Sequence, residues 1–412
     1  MRGKMTGDII LLGGNQLNNG IIQRKKILKY DRLIVFDWNK SPFVKGDVNI
    51  QIDIKDTNKI LNCLEKLNIE NILLSYTSTD LGVETQIAIH KKFGLLAPSR
   101  NIVKNIMNKK YTTDIWRQNH LLKRASIILE EKKDLDKLPI PKNDIIIKPN
   151  ISSGSRGITI LTKKHTYREL LQAFRKAQEE SIDKKVLIEE FVTGQEYTVE
   201  MLGDNYGNVC VWGISKKYHT NHTNSNKIAV KLHYNSIDVP DELVKKITCA
   251  AIHCYKSLNL KNSFGHLEMI VDANEEIEPL EMGARSSGYI ATHLQDAINY
   301  SSYLKEYALV IRGKRIRNGY RGKRNISSMY FFYDLPPGIS KKKTNLLDYC
   351  NCYVRSLSYN RDMLNSGVKF ENIHADHERY GFEILKGPKE LLTSENIIEW
   401  ESEFIKNFMG IG

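Results

Sequence analysis

The sequence predicts a multidomain chain of mixed α/β and α+β class. Short apolar strands alternate with amphipathic helices between residues 8 and 93, the pattern of a parallel sheet with helices on its faces. From about Leu121 the texture changes to short strands joined by turns, and after about Gly313 it changes again, to short strands and one closing helix. At 412 residues the chain is too long for one small core, and 41% hydrophobic with 26% charged residues is ordinary globular composition.

The first strand, Asp8–Gly14, ends in Gly13-Gly14, a turn that permits close approach of a ligand but lacks the Gly-x-Gly-x-x-Gly spacing of a dinucleotide loop. A helix over 20–29, strands at Arg32–Asp37 and Val48–Ile52, a helix at Asn58–Leu67, a strand at Asn71–Tyr76 and a helix at Thr79–Phe93 follow. Residues 101–120 read as one helix carrying Lys109 and Lys110. Strands Ser126–Leu129 and Asp144–Lys148 then lead into Pro149-Asn150-Ile151-Ser152-Ser153-Gly154-Ser155-Arg156-Gly157 and the strand Ile158–Leu161. Two strands joined by a Gly/Ser loop can curl backbone N–H groups around an anion, although the P-loop pattern of Gly-Lys-Ser/Thr opening a helix is missing. Lys148 leaves an apolar strand at the edge of that loop, where phosphate contact and snorkelling to the surface are both open.

Thr166 and Glu169 form a capping box for a helix to about Glu180. The strand Val186–Ile188 runs into Glu189-Glu190-Phe191-Val192-Thr193-Gly194-Gln195-Glu196, followed by strands Tyr197–Leu202 and Asn208–Ile214. His219–Lys231 reads as a polar loop, and Asp241–Leu258 as an amphipathic helix with Leu243, Ile247, Ala251 and Cys254 on one face. His266–Val271 and Glu276–Leu280 then flank Asp272-Ala273-Asn274 as a β-hairpin. Glu268 in the first strand and Glu281 at the end of the second can face each other, which is costly unless a cation sits between them. Mg²⁺ suits such a pair, and Arg285, four residues on, adds a planar cationic fork. The same stretch also fits a surface hairpin with solvated acids. A helix from about Gly288 to Gln295, strands at Asn325–Tyr333, Cys350–Leu357, Val368–Ile373 and Tyr380–Leu385, and a helix at Leu392–Phe408 complete the order.

The formal net charge is +13, but Lys and Arg are spread along the chain and dense only in short runs, which is a solvated surface. An anionic substrate such as a nucleotide suits the sign; a nucleic-acid partner rests on net charge alone and is not expected. No apolar stretch approaches a membrane span or a signal peptide, so no membrane partner is expected. The six cysteines show no zinc-type spacing and read as reduced thiols of a cytoplasmic protein.

Together the pieces resemble the ATP-grasp superfamily of ligases, of the carboxylate–amine type, with the domain order of carboxylase and purine-pathway members. The resemblance runs from about residue 8 to 312 and extends weakly to the C-terminus. It lies in the order of Lys109, Ile-Ile-Lys148-Pro149 with its Gly/Ser loop, Glu189 to Glu196, and Glu268 with Glu281-Met-Gly-Ala-Arg285. It implies an α/β pre-domain over 1–100, a linker helix over 101–121, a lid over 122–200, a catalytic subdomain over 201–312 and a β-rich cap over 313–412. Carried over by residue, Lys109, with its neighbour Lys110 as the alternative, and Lys148 would hold ATP phosphates beneath Ser152, Ser153, Gly154 and Gly157. Glu189, Glu190 and Val192 would meet the adenine, Glu196 the ribose, and Lys217 or its neighbour Lys216 a further phosphate. Glu268 and Glu281 would bind Mg²⁺ or Mn²⁺, and Arg285, with Lys148, would act on the substrate carboxylate and the transferring phosphoryl group. One departure is Gly283, where the family usually has Asn as a further metal ligand.

The resemblance implies that a carboxylate attacks the γ-phosphate of ATP, giving an acyl phosphate and ADP, and that an amine then displaces phosphate to form an amide. Small carboxylic acid and amine substrates are the expected partners, with a homodimer as the default assembly. Two alternatives remain open at this stage: a bicarbonate-activating, carboxylase-like enzyme, and a nucleotide-binding protein without catalysis.

Overall fold

The computed structural model describes residues 6–14, 28–139, 141–152, 154, 156–220, 228–288, 291–321, 325–350, 355–359, 364–373 and 379–411, with backbone alone for 291–293 and 355–359. Strands β1 (Asp8–Leu12), β2 (Leu33–Asp37), β3 (Val48–Gln51) and β4 (Ile72–Tyr76) form a parallel sheet in the order β3-β2-β1-β4. β1, β2 and β4 are buried along their whole length, as parallel strands covered on both faces must be. Helices α1 (Thr57–Lys66) and α2 (Val83–Lys92) cover one face, packing Ile60, Leu64 and Ile89 on Ile10, Leu12, Ile34 and Phe36. The helix expected over 20–29 falls almost wholly outside the described residues. The helix expected from Thr79 opens instead with a 3₁₀ turn, Asp80–Gly82, capped by the Thr79 side chain.

The single helix expected over 101–120 is two, α3 (Arg100–Met107) and α4 (Lys109–Gln118). Asn108 between them is extended, at φ −85° and ψ 104°, and its side chain accepts the Tyr111 N–H at 3.0 Å. Apolar periodicity continues across the break, with Val103, Ile106 and Trp116 entering one core, so it gives no sign of the interruption. The break makes Lys109 the first residue of α4.

A second sheet is antiparallel. Its strands β5 (Ser126–Leu129), β6 (Ile145–Pro149), β7 (Thr159–Leu161) and β8 (Val186–Glu190) lie in the order β5-β8-β6-β7. Helix α5 (Tyr167–Glu180) backs it through Leu170, Ala173, Phe174 and Ala177.

The third sheet is the largest, with nine strands. β9 (Gln195–Gly203), β10 (Val209–His219) and β11 (Ala229–Tyr234) precede helix α6 (Asp241–Ser257) and the hairpin β12 (Ser263–Val271) and β13 (Ile277–Gly283). After α7 (Ala291–Ile298) and α8 (Tyr303–Val310) come β14 (Gly319–Tyr320), β15 (Ile326–Phe332), β16 (Gly338–Ile339), β17 (Arg355–Tyr359), β18 (Lys369–Phe370), β19 (Phe382–Pro388) and the closing helix α9 (Ser394–Met409). The large sheet runs β13-β12-β9-β10-β11-β15-β19-β17, with β14 on β10, while β16 and β18 make a separate ribbon. Because β15 pairs with β11, the hydrogen-bonded ladder continues past residue 312.

β11 corrects an expectation. Its first three residues, Ala229–Lys231, read as the end of a polar loop, yet all six are buried. The polar side chains are paired internally: Lys231 Nζ lies 2.7 Å from Glu401 and His233 Nε2 2.6 Å from the Ser327 hydroxyl. Alternation along β9 sorts the large sheet's faces. Tyr197, Val199 and Met201 enter the core with Leu243, Ile247, Ala251 and Cys254 of α6, leaving Glu196, Thr198 and Glu200 on the opposite face. That opposite face packs Leu202 and Phe264 against Tyr303 and Tyr307 of α8 and against Leu73 and Tyr76 of the parallel sheet. The N-terminal unit is thereby docked beside the polar row. No helix among the described residues is long and apolar enough to cross a membrane.

Candidate active site

The β12–β13 ladder pairs Glu268 directly with Glu281, just before a register shift at Glu268/Met269. Two carboxylates brought this close repel each other unless each has a cation. Glu281 has Lys109 Nζ at 3.3 Å; Glu268 has Lys217 Nζ at 3.3 Å and His266 Nε2 at 3.5 Å. Lys217, from β10, also grips Glu196 across the strand pair, and His219 Nε2 stands 2.8 Å from the other Glu196 oxygen. Burial raises the pKa of both Glu196 and Glu268, but Lys217, with the nearby histidines, outweighs it and holds both carboxyls below their ordinary range. Next along the row, His266 Nδ1 lies 2.7 Å from the fully buried Glu200. Burial pushes the His266 imidazole down, but Glu200 and Glu268 prevail and raise it to about 9.

The small sheet supplies the facing wall. Lys148 Nζ lies 2.5 Å from Glu189 Oε2, and Arg124 approaches the same carboxylate at 3.4 Å. Thr113 donates to its other oxygen at 3.3 Å. Arg124 is itself held by Glu278 at 3.2 Å and by the Pro279 carbonyl at 2.6 Å, which ties the small sheet to the hairpin. Burial raises the Glu189 carboxyl, yet Lys148 and Arg124 hold it at about 2; burial lowers the Lys148 ammonium.

Lys109, Lys148, Glu189, Glu190, Val192, Glu196, Lys217, Glu268 and Glu281 line one cavity between the two sheets. Of the two neighbouring lysines, Lys109 points into it while Lys110 pairs with Asp114 at 2.5 Å. Ser152 meets Lys109 through its carbonyl at 3.0 Å. Gly154 and Gly157 have φ of 72° and 70°, and a Cβ on Gly157 would strike Pro149 and Glu180 at 2.9 Å, so only glycine fits there. Ser153 lies outside the described residues. Arg285 stands apart from this wall. Its guanidinium donates to Asp80 at 2.9 Å and to the Ser286 carbonyl at 3.1 Å. Arg124 and Glu200 belong to the constellation without any local sequence signal, and each meets a partner more than 60 residues away; Asp80 is held by Arg285.

A family model described as the ATP-grasp domain matches residues 141–293. The chain carries an ATP-grasp domain. Lys148, Glu189, Glu196, Lys217, Glu268, Glu281 and Arg285 fall inside the matched ATP-grasp segment, whereas Lys109, Arg124 and Asp80 reach it from outside. A D-alanine–D-alanine ligase from Bordetella petrii is 24% identical over 202 residues, 45% of this chain and 56% of that one. The chain thus spans little more than half the length of that relative, and less of other curated ones. Among solved structures, an L-amino acid ligase from Bacillus licheniformis superposes with a TM-score of 0.74 at 14% identity, covering 97% of both chains. A phosphoribosylglycinamide synthetase from Anaerococcus prevotii gives 0.66 at 16% identity, covering 98% of both. At such identities these likenesses show a common fold, and it extends beyond the ATP-grasp domain to nearly the whole chain.

Proposed function

We propose that this chain is an ATP-dependent ligase that activates a carboxylic acid as an acyl phosphate and joins it to an amine. The observation that carries this reading is the cross-strand pair Glu268 and Glu281 lining the same cavity as Lys109, Lys148 and Lys217. The names of the matched ligases support it.

Lys109 and Lys148 hold the phosphates from two sides, with the Ser152–Gly157 loop as the cover. Glu190 and Val192 border the base, and Glu196 the ribose. Glu268 and Glu281 would hold Mg²⁺: they face each other across the hairpin at the cavity wall, and two carboxylates leave the remaining positions to water and phosphate oxygens, as that ion prefers. Bound there, the ion would neutralise charge on the phosphate oxygens. Gly283 offers no side-chain ligand, so water or substrate would take that position. The protein's own part is positioning and charge neutralisation, which dominate phosphoryl transfer. Arg285 receives the acid's carboxylate. One carboxylate oxygen bonds to the γ-phosphorus and ADP leaves. The amine nitrogen then bonds to the carbonyl carbon, inorganic phosphate leaves, and the amine loses a proton. Closure of the small sheet over the cavity keeps water from the acyl phosphate.

The test is a matrix of carboxylic acids against amines with MgATP, reading ADP and phosphate. ADP release that requires both an acid and an amine is the expected result. AMP as the product overturns the reading. ADP release on bicarbonate with no amine moves the chain to the carboxylase-like alternative.

A further inference from the structure

Asn150 stands two residues after Lys148, where β6 has just ended, and it is buried. All four of its polar groups are bonded. Its N–H donates to the Lys185 carbonyl at 3.0 Å, and its carbonyl accepts the Lys109 N–H at 3.1 Å. Its side-chain oxygen accepts the Lys110 N–H at 3.0 Å, and its side-chain amide donates to Asp183 at 2.6 Å. The other Asp183 oxygen accepts the Ser181 hydroxyl at 2.8 Å and the Lys185 N–H at 3.3 Å, so the carboxylate that holds the amide is itself held. The opposite amide orientation would set N–H against N–H and oxygen against carboxylate, so the network fixes it. The first N–H groups of a helix have no partner inside it. At α4 the first two are taken by Asn150 and the third by Asn108.

Lys109 and Lys148 belong to elements with separate cores: Trp116 of α4 packs with α6, and Ile147 of β6 with α5. Packing inside either core does not set one lysine against the other. Thr113 and Arg117 also tie α4 to the small sheet, at Glu189 and Ser126, but from further along the helix. Asn150 seats the turn that carries Lys109, and only Pro149, with its locked φ, separates it from Lys148. Resting on the ligase reading above, we infer that Asn150 is a positioning residue, which sets the Lys109 and Lys148 ammonium groups at the spacing that the phosphates of one nucleotide require. Asn150 is absent from the cavity lining and acts through the two lysines that line it. Displacement of such a group by about 1 Å is enough to cost about a hundredfold in rate.

The experiment compares the full-length wild type with Asn150→Asp, Asp183→Asn and the double exchange. Asn150→Asp sets two carboxylates against each other and Asp183→Asn sets two amides, so each breaks the contact that aims the Asn150 oxygen at α4. The exchange puts the carboxylate at 150 and the amide at 183. That restores the hydrogen bond and keeps acceptors for the Lys110 N–H, the Ser181 hydroxyl and the Lys185 N–H. The probe is MgADP, its Kd read by titration calorimetry at 25 °C, with thermal melts reporting folding. Each single variant weakens MgADP binding by about tenfold or more, and the exchange recovers it to within about threefold of the wild type. A role in folding alone lowers the melt and leaves the affinity of the folded protein where it was. Asn150→Ala, which removes both side-chain bonds without adding repulsion, is read in the same way if neither single variant folds. Binding within about twofold of the wild type in a folded single variant or in Asn150→Ala overturns the inference and leaves the ligase reading intact. An exchange that recovers the melt but not the affinity does the same. A wild type that binds no MgADP overturns the ligase reading itself and the inference with it.

Discussion

Both walls of the cavity set a lysine against a glutamate, but not in the same way. On the small sheet, Lys148 and Glu189 are 7% and 1% exposed, they touch at 2.5 Å, and Arg124 closes the network from behind. On the large sheet, Glu268 and Glu281 keep 29% and 37% exposure and meet their lysines at 3.3 Å. A dry carboxylate with two cationic partners is fixed, because releasing either leaves an uncompensated buried charge. A wetter, longer contact leaves room at the carboxylate, so a further cation can reach it without first breaking a dry pair. The small sheet's pair is therefore fixed in shape, and on the ligase reading the large sheet's acids are the ones a metal would take.

The largest effect should come from the large sheet's acids. Glu268→Gln and Glu281→Gln keep the size of the side chain and remove its charge, so each is expected to lower ADP formation by about a hundredfold to a thousandfold, the scale of a lost electrostatic group in an active site. Melting temperature should move little. A variant of this pair with wild-type turnover breaks the distinction between the walls.

Lys148→Met should act on stability as well as on turnover, since the same ammonium pairs with Glu189 and, on the ligase reading, holds ATP phosphate. It strips Glu189 of its nearest cation while Arg124 remains, and is expected to destabilise the fold by about 3 kcal/mol in denaturant melts. Proton linkage gives the same pair a pH signature. Glu189 is held at about 2 in the folded chain against 4.5 as the ordinary value. Its stabilisation is present above 4.5 and is lost as pH falls from there toward 2, and the variant, whose Glu189 keeps less of that depression, should lose less stability across the same window than the wild type. Identical acid-unfolding profiles would show that Lys148 does not hold Glu189.

Much of this architecture is readable one stretch at a time. Period-two alternation gives the hairpin and sets Glu268 against Glu281, and the apolar run before Lys148 gives β6, because both depend on neighbours in sequence. What depends on distant partners is not readable. Asn108 interrupts a helix whose apolar period runs on regardless, and β11 is disguised by Lys231 and His233, whose partners Glu401 and Ser327 come much later in the chain. Arg285 is marked by its motif, but Asp80, 205 residues away, gives no local sign of meeting it. Charge networks are where sequence reading stops, since the physics that selects them is three-dimensional.

The join between the walls offers a middle-sized effect. Gly194 links β8 to β9, and a Cβ there would lie 2.3 Å from the Val271 carbonyl oxygen at the end of β12. That obstacle is backbone, so it cannot swing aside. Gly194→Ala is expected to cost about 1–3 kcal/mol, the range for forcing atoms into packed space. Because the turn sets how the small sheet meets the large one, nucleotide affinity should fall as well. A melt unchanged from wild type would mean that the junction adjusts freely.

The smallest effect belongs to the far side of the small sheet. The Thr166 hydroxyl accepts the Glu169 N–H at 3.3 Å, while the Glu169 carboxylate accepts the Thr166 N–H at 2.7 Å, so the two residues cap α5 reciprocally. Thr166→Ala removes one arm and should cost about 1 kcal/mol, with Thr166→Ser recovering most of it. The box is exposed and its residues are absent from the cavity wall, so ADP formation at 25 °C should stay at the wild-type rate. That pairing of a measurable melt shift with unchanged turnover sharpens the contrast between walls. Loss of a helix cap weakens the small sheet's backing without touching Lys148 or Glu189, so a fall in turnover here would mean that cavity geometry depends on the stability of α5 and not on the buried ion network alone.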